Sequence, residues 1–68
     1  MKVKYFEDTD TALLEFAVAE VVETREITEN LYVDLDADGN VVSLTVEHAK
    51  LRADLPDVVV ERIGRGAA

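Results

Sequence analysis

The chain contains no cysteine, no tryptophan, one proline, one histidine and three glycines. Without cysteine there is no disulfide and no thiolate zinc site. Small secreted domains rely on such staples, and Met1-Lys2-Val3-Lys4-Tyr5 lacks the apolar stretch of a signal peptide. Apolar runs of a few residues fall far short of the ~20 needed to cross a bilayer. The expectation is a cytoplasmic protein that makes no membrane contact. Gly39, Gly64 and Gly66 do not form a phosphate-cradling loop. Tyr5, Phe6, Phe16 and Tyr32 are the only aromatics. They are too few for a stacking platform on single-stranded nucleic acid, and they read as core and interface packing.

Basic residues are also scarce. Seven Lys and Arg face fifteen Asp and Glu, a net charge of −8. Lys2, Lys4, Arg25, Lys50, Arg52, Arg62 and Arg65 are scattered and form no basic stripe. Nucleic acid is excluded as a partner, because its recognition runs on cations that neutralise phosphates. Anionic lipid surfaces are disfavoured by the same sign. A basic protein or a divalent cation is permitted.

Apolar residues, by contrast, are plentiful. Hydrophobic content is 49% of 68 residues, which separates the chain from a disordered acidic tail. The length allows one small domain, placed at residues 1–63 with a frayed end at 64–68. So short a domain buries only about 60% of its unfolded surface. Apolar surface is therefore left for a partner, most simply a second copy in a homodimer or higher homo-oligomer.

Lys2–Phe6 alternates polar and apolar residues and reads as a strand. Glu7-Asp8-Thr9-Asp10-Thr11 is a polar turn. Ala12–Val22 admits two readings. Its Ala, Leu and Glu content suits a helix capped by Asp10 or Thr11. A strand over Ala12–Val18, a turn and a second extended piece through Ile27 fit equally well. Leu31, Val33 and Leu35 alternate in one strand and Val42, Leu44 and Val46 in another, with Asp36-Ala37-Asp38-Gly39-Asn40 between them. Asp38-Gly39 is a hairpin signal in which glycine supplies a positive φ. Glu47–Asp54 has helix-forming composition, and Leu55-Pro56 ends it. Val58-Val59-Val60 is β-branched and reads as extended; a short helix from Asp57 is the alternative. The expected class is α+β: about four short antiparallel strands, one short helix after the Val41–Glu47 strand, and an extended C-terminal segment.

Three constellations invite chemistry. Asp34-x-Asp36-x-Asp38-Gly39 copies the opening of an EF-hand loop. Thr45 stands where that loop needs a bidentate Glu, and the flanks read as strands. An acidic hairpin turn is the preferred reading, and a divalent-metal or small-ligand sensor on Asp34, Asp36 and Asp38 is the alternative. Glu7, Asp8 and Asp10 form a second acidic group, read as a solvated turn rather than an acid–base pair. His48 stands beside Glu47, but neighbours on a strand point to opposite faces. The lone serine, Ser43, has no nucleophile-elbow glycines. His48 is expected to make a structural hydrogen bond at the strand-to-helix junction. No catalytic residue, cofactor or enzymatic activity is assigned.

Several stretches carry a family likeness: Lys2–Thr11 running into Leu14-Glu15-Phe16, then Glu23–Ile27, then Val33–Val41 with Val46-Glu47-His48-Ala49 and Arg52–Pro56. In their order and spacing the chain resembles DUF2283, a family of small uncharacterised bacterial proteins. Asp10 and Gly39 match its most characteristic positions. Tyr5, Asp34, Glu47 and His48 also fall on its motifs, and all six are expected to be structural. The family often has Tyr at the position of Leu13, Gly at that of Ser43 and Glu at that of Thr45, so roles of those side chains do not transfer. The resemblance implies a compact, mostly β fold and favours strand for Ala12–Val18. It implies no activity beyond a hint of an antitoxin-like acidic partner for a basic protein. The expected function is accordingly a small oligomeric interaction module.

Overall fold

A computed structural model describes residues 1–64. Five strands, β1 (Lys2–Phe6), β2 (Thr11–Glu15), β3 (Glu23–Thr28), β4 (Leu31–Leu35) and β5 (Val41–Glu47), precede one helix, α1 (Ala49–Ala53). The strands form a single sheet in the order β1-β2-β5-β4-β3, and every neighbouring pair is antiparallel. The sheet has five strands, not about four. The extended piece expected through Ile27 is β3, an edge strand whose six residues are all exposed. With no face to bury, it has no reason to alternate.

Ala12–Val22 is not a helix. Its first part is β2, which ends at Glu15, and residues 16–22 are exposed and carry no regular structure. Helix propensity differs among residues by well under 1 kcal/mol each. Pairing on both sides, with β1 and with β5, outweighs it. The helix is shorter than the Glu47–Asp54 expectation, because Glu47 still belongs to β5. His48 and Asp54 bound it in the left-handed region, with φ of 55° each. Val58–Ile63 forms neither strand nor helix. Of the tail expected at 64–68, only Gly64 falls within the described residues.

Residues paired across antiparallel strands share a face. Val3, Leu14, Leu44 and Val33 make one row, and Tyr5, Ala12, Val46 and Leu31 make the next. Both rows lie on the apolar face. The opposite face carries Lys2, Glu15, Ser43, Asp34 and Thr24, then Lys4, Leu13, Thr45, Tyr32 and Glu26. The helix and the turn after it cover one end of the apolar face. Ala12, Ala49 and Leu55 are buried there, with Val3, Tyr5, Leu14 and Val46 packed around them. Ala12 and Ala49 are wholly inaccessible; their small side chains let the helix approach the sheet closely. No large side chain is fully buried among the described residues.

Candidate functional site

The family-motif residues Tyr5, Asp10 and His48 meet where the β1–β2 turn touches the start of α1. A short helix needs acceptors for its first N–H groups, and His48 gives no side-chain cap. Asp10 supplies them from the neighbouring turn. Its carbonyl accepts the N–H of Ala49 at 2.9 Å, and its Oδ1 accepts the N–H of Lys50 at 3.2 Å. The same Oδ1 accepts the Tyr5 hydroxyl at 2.6 Å, and the Lys50 ammonium lies 5.9 Å from the Tyr5 ring centroid. Asp10 reaches this position with φ of 53°, a left-handed conformation that Asp tolerates better than most residues.

The electrostatics follow from these contacts. The hydrogen bond to the Asp10 carboxylate, helped by desolvation and by the charges of Asp10 and Glu7, pushes the Tyr5 phenol up to about 12. In return the Tyr5 hydroxyl, the Lys50 N–H and the Lys50 and His48 charges hold the Asp10 carboxyl below its ordinary value, against desolvation. A carboxylate of lowered basicity that is already holding two donors is a fastener rather than a proton acceptor.

Beside this corner the His48 Nδ1 meets the Asn30 amide oxygen at 2.9 Å, and the Asn30 carbonyl accepts the Glu47 N–H at 2.8 Å. The β3–β4 turn is thereby tied to the same junction. Glu47 pairs with Thr11 on the polar face, where its charge is the main influence raising the Tyr32 phenol. No hydrogen bond joins His48 to Glu47 or Asp10.

The three aspartates of the acidic turn are not brought together. Asp34 stands on the polar sheet face, accepting the Thr24 hydroxyl at 2.6 Å and the Ser43 hydroxyl at 2.7 Å. Asp36 turns into the hairpin, where its Oδ1 accepts the N–H groups of Asp38 and Asn40, each at 2.9 Å. The loop closes with Asp36 N–H donating to the Asn40 carbonyl at 3.0 Å, and Gly39 has φ of 82°. Among the described residues no group of three or more His, Asp or Glu side chains is placed to hold a metal ion. On the polar face an ion pair of 2.9 Å also joins Lys4 to Glu15.

Reading the chain residue by residue misses Asn30 and Lys50, whose roles depend on turns that meet only in the folded chain. It expects apolar surface to be left over but does not place it. Leu31, Val33 and Leu44 lie beyond the packing of α1 and are only half-buried. An open groove of about 470 Å³ runs between Leu31 and Val46 of the sheet and Arg52 and Ala53 of the helix. Phe16, Val22, Ile27 and Leu51 are exposed around the sheet. No helix among the described residues is long and apolar enough to cross a membrane.

A family model described as a protein of unknown function (DUF2283) matches residues 2–50. That span runs from β1 into the first turn of α1 and includes Tyr5, Asp10, Asn30, Asp34, Gly39, Glu47, His48 and Lys50. No curated protein and no solved structure matches the chain.

Proposed function

The chain belongs to the DUF2283 family, to which no function is assigned, and from that premise we propose that it is a self-associating interaction module whose apolar sheet face is closed by a second copy of itself. The observation that carries the reading is surface in excess of need. A compact globule of 7.5 kDa exposes about 4,200 Å², and this chain exposes 5418 Å². The difference exceeds the ~800 Å² that each partner gives up in an interface of standard size. The radius of gyration of 13.7 Å is likewise above the ~11 Å of a compact chain of this length.

Charge does not forbid the pairing. Within the two apolar rows Arg25, opposite Val33, is the one charged residue. Glu15, Glu26 and Asp34 stand on the opposite face. Two copies meeting through their apolar faces turn these carboxylates outward, where salt screens their repulsion over about 8 Å. The outward face then suits a basic protein, the antitoxin-like role, and the module performs no chemistry of its own. Among the described residues the metal-sensor alternative has no gathered donor set to support it.

Light scattering coupled to size exclusion tests the reading. The expected mass at micromolar concentration is twice 7.5 kDa or a higher multiple. A monomer under those conditions overturns it.

A further inference from the structure

Resting on that self-association, we infer that Val58–Ile63 is the element that crosses between copies and lies on the second copy's Leu31, Val33 and Leu44. Its apolar residues are exposed: Val58 is 48% accessible, Val59 84%, Val60 80% and Ile63 77%, with the charged Glu61 and Arg62 between Val60 and Ile63. Among the described residues no backbone hydrogen bond ties it to the sheet; the last such bond before it runs from the Asp57 N–H to the Asp54 carbonyl. It is therefore not part of its own chain's sheet.

The pattern of the segment says what kind of surroundings it fits. Side chains of an extended chain alternate between two sides, so Val58-Val59-Val60 presents apolar groups on both. Such a run matches a strand with apolar walls above and below. Lying on its own sheet would provide one wall and leave the other valine side in water. Between two copies it has both. Three extended residues span about 10 Å, enough for the valine run to cover the neighbouring strands β4 and β5, which carry Leu31, Val33 and Leu44 at ~4.8 Å spacing. The half-buried side chains it would cover are those that α1 leaves open.

The absence of cysteine gives a direct test in the full chain. Val33→Cys is placed in one preparation and Val59→Cys in another, the two distinguished by mass, then mixed and mildly oxidised. Leu44→Cys serves as a second partner for Val59→Cys should Val33→Cys fold poorly. Thr45→Cys, on the opposite sheet face, is the control. The expected result is a mixed disulfide between Val59→Cys and the apolar-face cysteine, formed at least tenfold more than with Thr45→Cys. A dimer by light scattering with no such preference overturns the crossing and leaves self-association standing. A monomer overturns both.

Discussion

Asp10 and Lys50 are forty residues apart in the chain, and the carboxylate of one accepts the backbone N–H of the other at 3.2 Å. With the Ala49 N–H bound to the Asp10 carbonyl, this contact fixes the only helix among the described residues to the β1–β2 turn. The helix has five residues and is too short to persist alone in water. Its existence therefore depends on being docked.

Asp10→Ala is expected to release it. The substitution removes the acceptor for Lys50 and Tyr5 and places alanine at φ of 53°, where a Cβ without a polar group is strained. Tm should fall by several degrees, and hydrogen exchange at Ala49 and Lys50 should lose protection while the β4–β5 pairing keeps it. Asp10→Asn keeps an oxygen acceptor and tolerates the same backbone, so it should lose clearly less. Equal losses from both variants would show that an oxygen acceptor alone does not hold the helix and that the carboxylate charge, which Asn lacks, is what the position needs.

The same hydrogen bond makes stability depend on pH at both ends of the scale. Tyr5 is raised to about 12, so between the ordinary tyrosine value near 10 and 12 the folded chain keeps a proton that the unfolded chain has released. Stability contributed by the bond is complete below pH ~10 and is lost as pH climbs towards 12. Asp10 is lowered, so its contribution is complete above the ordinary aspartate range and is lost as pH falls through the lowered value. Ultraviolet titration of phenolate should show one group ionising near 12, and Tyr5→Phe should remove it and leave Tyr32. A Tyr5 phenol that ionises near 10 would contradict the hydrogen bond.

Gly39→Ala isolates a backbone effect. Gly39 has φ of 82°, and a Cβ built on it meets no atom within 4 Å. Only the left-handed conformation is penalised, by about 1–2 kcal/mol. Urea denaturation should show that loss as a lower midpoint at unchanged slope, because the surface exposed on unfolding is the same. A substitution without cost would mean that the loop can relax away from the geometry in which Asp36 holds Asp38 and Asn40.

These elements differ in how far the chain announces them. The β4–β5 hairpin is legible because Asp38-Gly39 and the flanking Leu and Val alternation are local, period-two signals. β2 is legible only in part, since Ala12-Leu13-Leu14-Glu15 admits helix and strand equally by composition, the family likeness favours strand, and Leu14 pairing with Leu44, thirty positions away, decides it. β3 is foreshadowed only as an extended piece through Ile27, because Glu23–Thr28 has no buried side to imprint a pattern. At the corner, the family likeness marks Tyr5, Asp10 and His48. Their partners Lys50 and Asn30 are ordinary surface residue types whose importance arises from where two turns meet.

Leu44 and Thr45 are neighbours on β5 that face opposite sides of the sheet, which makes them a matched pair for testing which side associates. Leu44 lies in the row with Val3, Leu14 and Val33, whereas Thr45 lies with Lys4, Leu13 and Tyr32. Leu44→Asp puts a charge where the second copy is proposed to sit, and an unpaired buried carboxylate is costly. The dimer dissociation constant should rise at least tenfold, about 1.4 kcal/mol of association free energy. Thr45→Asp adds the same charge to the chain at the same strand position plus one, so general repulsion between acidic copies affects both variants alike. If light scattering shows both weakening association equally, net charge governs it and the apolar face does not. If only Leu44→Asp weakens it, with circular dichroism confirming that the sheet is intact, the apolar face is the contact.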